Sequence, residues 1–258
     1  RIRALVNLIS HGGQTDWYEP AIAALERELN CIDLGGASYA ALGETCGQLL
    51  SYAPQWMREN VARYFGSESH STSGQQVAVA QAVALHYYHP ELYRLLSGPM
   101  IAILRESSVV ATRVFDEFSV KVRIGEWIIN AIIRGDIDES DDLRHMFYET
   151  VPPDVRGEAI GRVAWSFAHV DVVDDAIRDR LGALWDERVR HVEVNSSDKA
   201  ELKDFCWFVR SGRFNHDWWL PRLKRVLKLY PEFDTQGMIG EQIAQAALTM
   251  PGDALDLL

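Results

Sequence analysis

Cysteine is scarce in this chain: there are three, at positions 31, 46 and 206, odd in number and far apart. That spacing argues against both a disulfide framework and a CxxC metal knuckle, and it fits a reducing, cytoplasmic compartment. Long apolar runs are missing too. "VAVAQAVAL" from Val77 and "WIINAII" from Trp127 fall well short of the roughly 18 residues a membrane span needs, so no membrane partner is expected. No signal peptide is visible. Strand-like alternation is confined to "RHVEVNS" from Arg190, which has no second strand to pair with. Cation excess is lacking as well: the net charge of −11 argues against wholesale wrapping of nucleic acid, whose affinity rests on Lys and Arg neutralising phosphates.

Motifs that carry chemistry are equally thin. No GxxxxGK[ST] phosphate loop occurs, and no GxSxG elbow surrounds Ser69, Ser71 and Ser73 beside His70. "DIDESDDLRHMF" from Asp136 carries oxygen ligands at positions 1, 3, 5 and 7 of a calcium loop. It has Asp141 where the loop needs glycine and Phe147 where it needs a bidentate glutamate. It reads instead as an acidic turn that caps the next helix. "DVVDDAIRDR" sets Asp175 and Asp179 one helical turn apart near Asp171, an arrangement that can hold Mg²⁺ against a diphosphate. No second metal-binding helix accompanies it, and Arg178 and Arg180 neutralise it locally. His86 and His89, with His70 upstream, have the spacing to share a metal. "HYYHP" also reads as a helix end where histidines complement the dipole. Cys46 and Cys206 lie on apolar faces, where a thiol is an inert small hydrophobe. The expectation is therefore no catalytic residue, no metal and no cofactor.

What is abundant is helical periodicity. Leu202, Phe205, Cys206 and Val209 follow the i, i+3, i+4, i+7 rule, as do Trp219, Leu223, Val226 and Tyr230. Gly212 between them supplies a left-handed C-cap, and Asn215 or Asp217 an N-cap. With Asn215 as cap, Phe214 and Trp219 occupy the two positions of a hydrophobic staple. Further helices are predicted at about 17–29, 38–52, 55–65, 74–88, 90–97, 99–105, 108–118, 120–134, 139–149, 154–168, 172–190, 198–210, 216–230 and 236–249. The expected fold class is all-α.

The chain also repeats itself. "DWYEP" from Asp16 returns as "DWWLP" from Asp217, and each is followed by an amphipathic helix. "LGETCGQLLSYAP" from Leu42 then returns as "IGEQIAQAALTMP" from Ile239. "RGEAIGRVAW" from Arg156 is a third copy of that second phrase. Gly43 and Gly47, Gly157 and Gly161, and Gly240 and Ala244 each stand four apart, so each pair lies on one face where a neighbouring helix can approach closely. The 201-residue offset between the two Asp-Trp phrases holds about five units of the 40–47 residues typical of helical hairpin repeats.

Prolines near the start of first helices (Pro20, Pro221) and opening new helices (Pro54, Pro90, Pro251) give the chain a resemblance to HEAT- and armadillo-type repeats over most of its length. "FVRSGRFNHDWWLPRL" is similar to helical regions of large bacterial multidomain proteins, including nucleotide-dependent defence proteins. The resemblance implies one irregular α-solenoid domain over residues 1–258. "RIRALVNLI" at Arg1 reads as mid-helix, and "GDALDLL" at the other end as a helix beginning. A piece of a larger protein is expected.

Function rests on surface charge. Residues 136–142 carry five acids and no base, whereas six bases, Arg210, Arg213, Arg222, Lys224, Arg225 and Lys228, crowd 210–228 against Asp217. Arg222 stands one turn beyond Trp218, so the two can form a cation–aromatic surface. Arg210, Arg213, Trp218, Arg222, Arg225 and Lys228 are thus the candidate binding residues. The leading expectation is a non-enzymatic protein-interaction or sensing module, bound to a protein partner or to other domains of the same polypeptide. Nucleic-acid binding through the 210–228 helix is the alternative, and a metal-dependent enzyme using Asp171, Asp175 and Asp179 comes third.

Overall fold

The structure is a computed structural model that describes residues 1–12, 16–30, 35–65, 78–79, 81–83, 86–105, 117–232 and 239–255. Its secondary structure is helical throughout and, among the described residues, contains no strand. His70, the serines around it, Cys31 and the helix predicted at 108–118 up to residue 116 lie outside the described residues.

The chain gathers into two compact units. The first, residues 1–127 with 142–150, holds α1 (Ile2–Gly12), α2 (Tyr18–Leu29), α3 (Gly36–Glu44), α4 (Cys46–Tyr52), α5 (Pro54–Phe65), α6 (Pro90–Arg105) and α8 (Asp142–Thr150). α7 (Glu117–Arg134) contributes its residues through Trp127 to this unit and the remainder to the second. Amphipathic spacing builds the core: Ile2, Val6 and Ile9 of α1, Leu25 and Leu29 of α2, and Leu42, Cys46 and Leu49 of α3 and α4 are all buried. Burying a side chain of this size contributes roughly 1.5–3 kcal/mol each. α3 and α4, predicted as one helix over 38–52, are separated at Thr45, whose hydroxyl bonds the carbonyls of Ala41 and Leu42. Back-bonding of that kind bends helices. The break predicted between 97 and 99 is absent, because α6 runs on through Pro99.

The second unit, residues 128–141 with 151–258, holds α9 (Pro153–Ser166), α10 (Asp175–Val194), α11 (Cys206–Arg210), α12 (His216–Leu229), α13 (Gly240–Ala247) and α14 (Pro251–Leu255). A short 3₁₀ turn follows α9, and a ten-residue 3₁₀ segment, Ser196–Phe205, leads into α11. This segment was expected to be α-helical. Its predicted buried stripe is nevertheless correct, since Leu202, Phe205, Cys206 and Val209 are all inside. "RHVEVNS" is the last turn of α10 and not a strand: Val192 packs inward, and its alternation carries no pairing.

Prolines and glycines perform much of the predicted work. Pro54, Pro90 and Pro251 each stand first in a helix, where the missing N–H costs nothing. Gly212 has φ +66°, the left-handed C-cap that the 206–216 joint needs. A Cβ at Gly43 would stand 2.5 Å from the Val79 carbonyl oxygen, and one at Gly157 would stand 2.9 Å from that of Glu201. Close approach explains these two glycines. The pairing is incomplete, however, because Gly47 and Gly240 face open space. The two Asp-Trp phrases also differ in register: α2 starts at Tyr18, whereas α12 starts at His216, one residue before its aspartate.

Candidate interaction surface

The predicted Trp218–Arg222 pair exists. The Arg222 guanidinium lies 4.9 Å from the Trp218 ring centroid, one turn along α12. Both pack on α10 at Gly182, where a Cβ would meet Arg222 at 2.8 Å and the Trp218 indole nitrogen at 3.2 Å. Phe214 stacks on Trp218 at 4.4 Å, so the staple expected with Trp219 closes one residue earlier. Trp219 is buried against His216.

This packing consumes the charge. Arg222 donates to Asp186 at 2.9 Å, while Arg225 donates to Glu193 at 3.0 Å and lies 3.4 Å from Asp186. Four of the six candidate residues therefore do not form a common cationic stripe: Trp218, Arg222 and Arg225 bind α10, and Lys228 is exposed near the far end of α12. Arg210 and Arg213 stand at the other end, beside a cluster that the candidate list omitted.

That cluster centres on Trp165, which α9 presents with 49% of its surface exposed. Trp165 stands perpendicular to Trp207 at 5.1 Å and to His169 at 5.5 Å. The Arg210 guanidinium lies over the Trp207 ring at 5.1 Å, and Arg213 donates to the Ala168 carbonyl at 3.4 Å. Gly161 makes the arrangement fit, since a Cβ there would stand 2.8 Å from Asp204 Cβ and 3.2 Å from Trp207 Cδ1. Burial pushes the Asp204 carboxyl up, against the lowering pull of Lys203 and of a hydrogen bond with Trp207. Val170 and Val172, which follow His169 in the chain, are exposed on either side of an exposed Asp171. One signal for the site was readable: Trp165 follows Glu158 and Arg162 along one side of α9, a place where a core tryptophan does not belong.

Beneath the surface, a buried charge network holds the 3₁₀ segment between α9 and α10. Glu201, with no exposed side-chain surface, accepts from Arg188 at 2.6 and 3.0 Å and pairs with Arg156 at 3.0 Å. Arg156 also donates to Asp198 at 2.7 Å, and His191 Nε2 lies 2.9 Å from the same oxygen. Burial would raise the Asp198 carboxyl, but bonds from His191 and Arg156 outweigh it and hold it at about 2.

The remaining motifs are engaged locally. Asp174 caps α10 by accepting from Ala176 and Ile177, and Arg178 pairs with Asp175 at 2.9 Å and lies 3.8 Å from Asp179. Arg180 reaches instead to the carbonyls of Ile133 and Arg134. Asp138 closes a turn on Ser140, and the second half of the calcium-like pattern is helical. His86 lies 3.2 Å from the Gly43 carbonyl oxygen, and His89 Nδ1 accepts from the Glu91 amide. Burial pushes the Cys46 thiol up to about 12. Among the described residues, no three His, Cys, Asp or Glu side chains are grouped to hold a metal. No helix among them is long and apolar enough to cross a membrane. Comparison with protein-family models, characterised proteins and solved structures returns no match.

Proposed function

We propose that this chain is a non-enzymatic interaction module built from HEAT-like helical hairpins, part of a larger bacterial protein, and that the Trp165–Trp207 surface of its second unit binds a partner protein. The observation that carries this reading is the half-exposed Trp165. A helix of a packed hairpin has no need to leave an indole in water, whereas Trp and Arg are the residues most enriched where protein interfaces concentrate their energy. Arg210 over Trp207 supplies that combination in one place. The carboxylates near the α10 N-terminus fit capping and local pairing, which weakens the metal-enzyme alternative. Pairing of Arg222 and Arg225 with acids of α10 likewise weakens the nucleic-acid alternative.

The test is capture from native lysate with the unaltered chain and a Trp165→Ala variant of matched melting temperature, with and without nuclease. A protein that survives nuclease and is lost with Trp165→Ala is the expected result. Recovery of nucleic acid, or of proteins indifferent to Trp165, would overturn the proposal.

A further inference from the structure

The hairpin that the chain writes twice is covered differently in its two copies. In the second copy Leu202, Phe205, Cys206, Phe208, Val209 and Gly212 lead to Trp218. In the first, Ile2, Leu5, Val6, Leu8, Ile9 and Gly12 lead to Trp17. The apolar positions and the glycine match one for one at an offset of 200 residues, and a joint one residue longer in the second copy brings the Asp-Trp phrases to 201.

One face is inside in both copies: Ile2, Val6 and Ile9 are buried, as are Leu202, Cys206 and Val209. The other face is not. Phe205 and Phe208 have no exposed surface, whereas Leu5 is half-buried and Leu8 is 53% exposed. Trp218 is half-buried, whereas Trp17 is 70% exposed. Trp17 stands just ahead of α2, but its carbonyl already accepts the Ala21 amide at 3.0 Å, so its backbone has entered the helix.

A single side chain of α10 meets all three covered positions. The Trp185 ring lies 5.0 Å from that of Phe205, 5.9 Å from Phe208 and 5.5 Å from Trp218, and α10 precedes this hairpin in the chain. The positions that meet Trp185 in the second copy are the ones left open in the first. The joint also differs in charge: α10 offers Asp186 and Glu193 to Arg222 and Arg225, whose counterparts in α2, Ala21 and Ala24, carry none. Arg1 and Arg3 of α1 pair with Glu28 and Glu44, and Asp16 is exposed here as Asp217 is in the second copy. An apolar seam without ion pairs is the kind that joins neighbouring units permanently, and repeat units bury such faces on the next unit of their own chain.

We infer that Leu5, Leu8 and Trp17 seat a further helix of the same polypeptide, one that precedes α1 as α10 precedes the second hairpin and sets a large apolar side chain among them in the place of Trp185. The inference rests on the larger-protein part of the reading above and identifies one of its internal joints.

The experiment uses the full-length polypeptide, with the photocrosslinking residue benzoylphenylalanine replacing Leu8 in one sample and Trp17 in another, and adducts mapped by mass spectrometry. Crosslinks from both positions should reach one helical stretch before Arg1 in the same molecule. Hydroxyl-radical labelling of the unaltered full-length polypeptide should show Trp17 protected below Trp165, reversing the order that their 70% and 49% exposure gives. Crosslinks to a second copy, to residues beyond Leu258 or to a co-purifying protein would overturn the inference. So would the absence of any crosslink, or faster labelling of Trp17 than of Trp165. Capture through Trp165 is read separately: capture kept without the crosslink refutes this inference alone, and the crosslink found without capture refutes the interaction reading alone.

Discussion

Glu201 shows how one buried side chain can organise a region. It has no exposed surface and faces two arginines, Arg156 and Arg188, themselves 3% and 5% exposed. Removing it leaves two buried cations without their shared carboxylate, so Glu201→Ala is expected to cost about 3–5 kcal/mol in chemical denaturation. Asp198 sits at the edge of the same network with its carboxyl held at about 2. Because its folded value is depressed below the usual carboxylate range, the stability it contributes is complete above about pH 4 and disappears as pH falls towards 2. Asp198 is partly solvent-exposed, which limits that contribution to about 1 kcal/mol. Thermal melts of the unaltered chain and Asp198→Asn should therefore differ by a constant amount above pH 5 and converge between pH 4 and 2.

At the scale of the element, the 3₁₀ segment Ser196–Phe205 is set by its neighbours. Ten residues is long for 3₁₀ geometry, whose hydrogen bonds are poorer than those of an α-helix. Two contacts hold it: the Glu201 network, and the close approach to α9 at Gly157 and Gly161. A methyl group at Gly157 would meet the Glu201 and Ala200 carbonyl oxygens at 2.9 and 3.2 Å, backbone atoms that cannot turn aside. Gly157→Ala should therefore destabilise by about 2 kcal/mol or more through overpacking. Gly47→Ala meets open space within α4 and should stabilise by about 0.4–1 kcal/mol. Denaturant titration of both variants checks the contrast, and equal effects would contradict the packing described for α9.

For the molecule as a whole, charge in the second unit is divided between binding its own helices and facing outward. The cations in the middle of α12 meet Asp186 and Glu193 of α10, whereas Arg213 before α12 rests on a carbonyl. Arg222→Glu/Arg225→Glu would set like charges against those acids. It is expected to lower stability by about 1–3 kcal/mol, read as a fall in melting temperature. Any loss of binding in that variant then reports on the joint between α10 and α12.

Sequence alone determined the class of element and most of its boundaries. Apolar spacing, prolines at helix starts and Gly212 at a helix end act within a few residues and need no distant partner. It also placed Arg222 beside Trp218, because one helical turn is a local relation. Only tertiary structure decided what those residues face. The sequence distance from Arg222 to Asp186 is 36 residues, and from Trp165 to Trp207 it is 42. Neither relation is encoded in the periodicity of a single helix. Which arginines are neutralised, which glycines are pressed against a neighbour and which tryptophans are left in water follow from packing between helices. That is why the predicted basic stripe divided in the fold and the exposed indole beside it was missed.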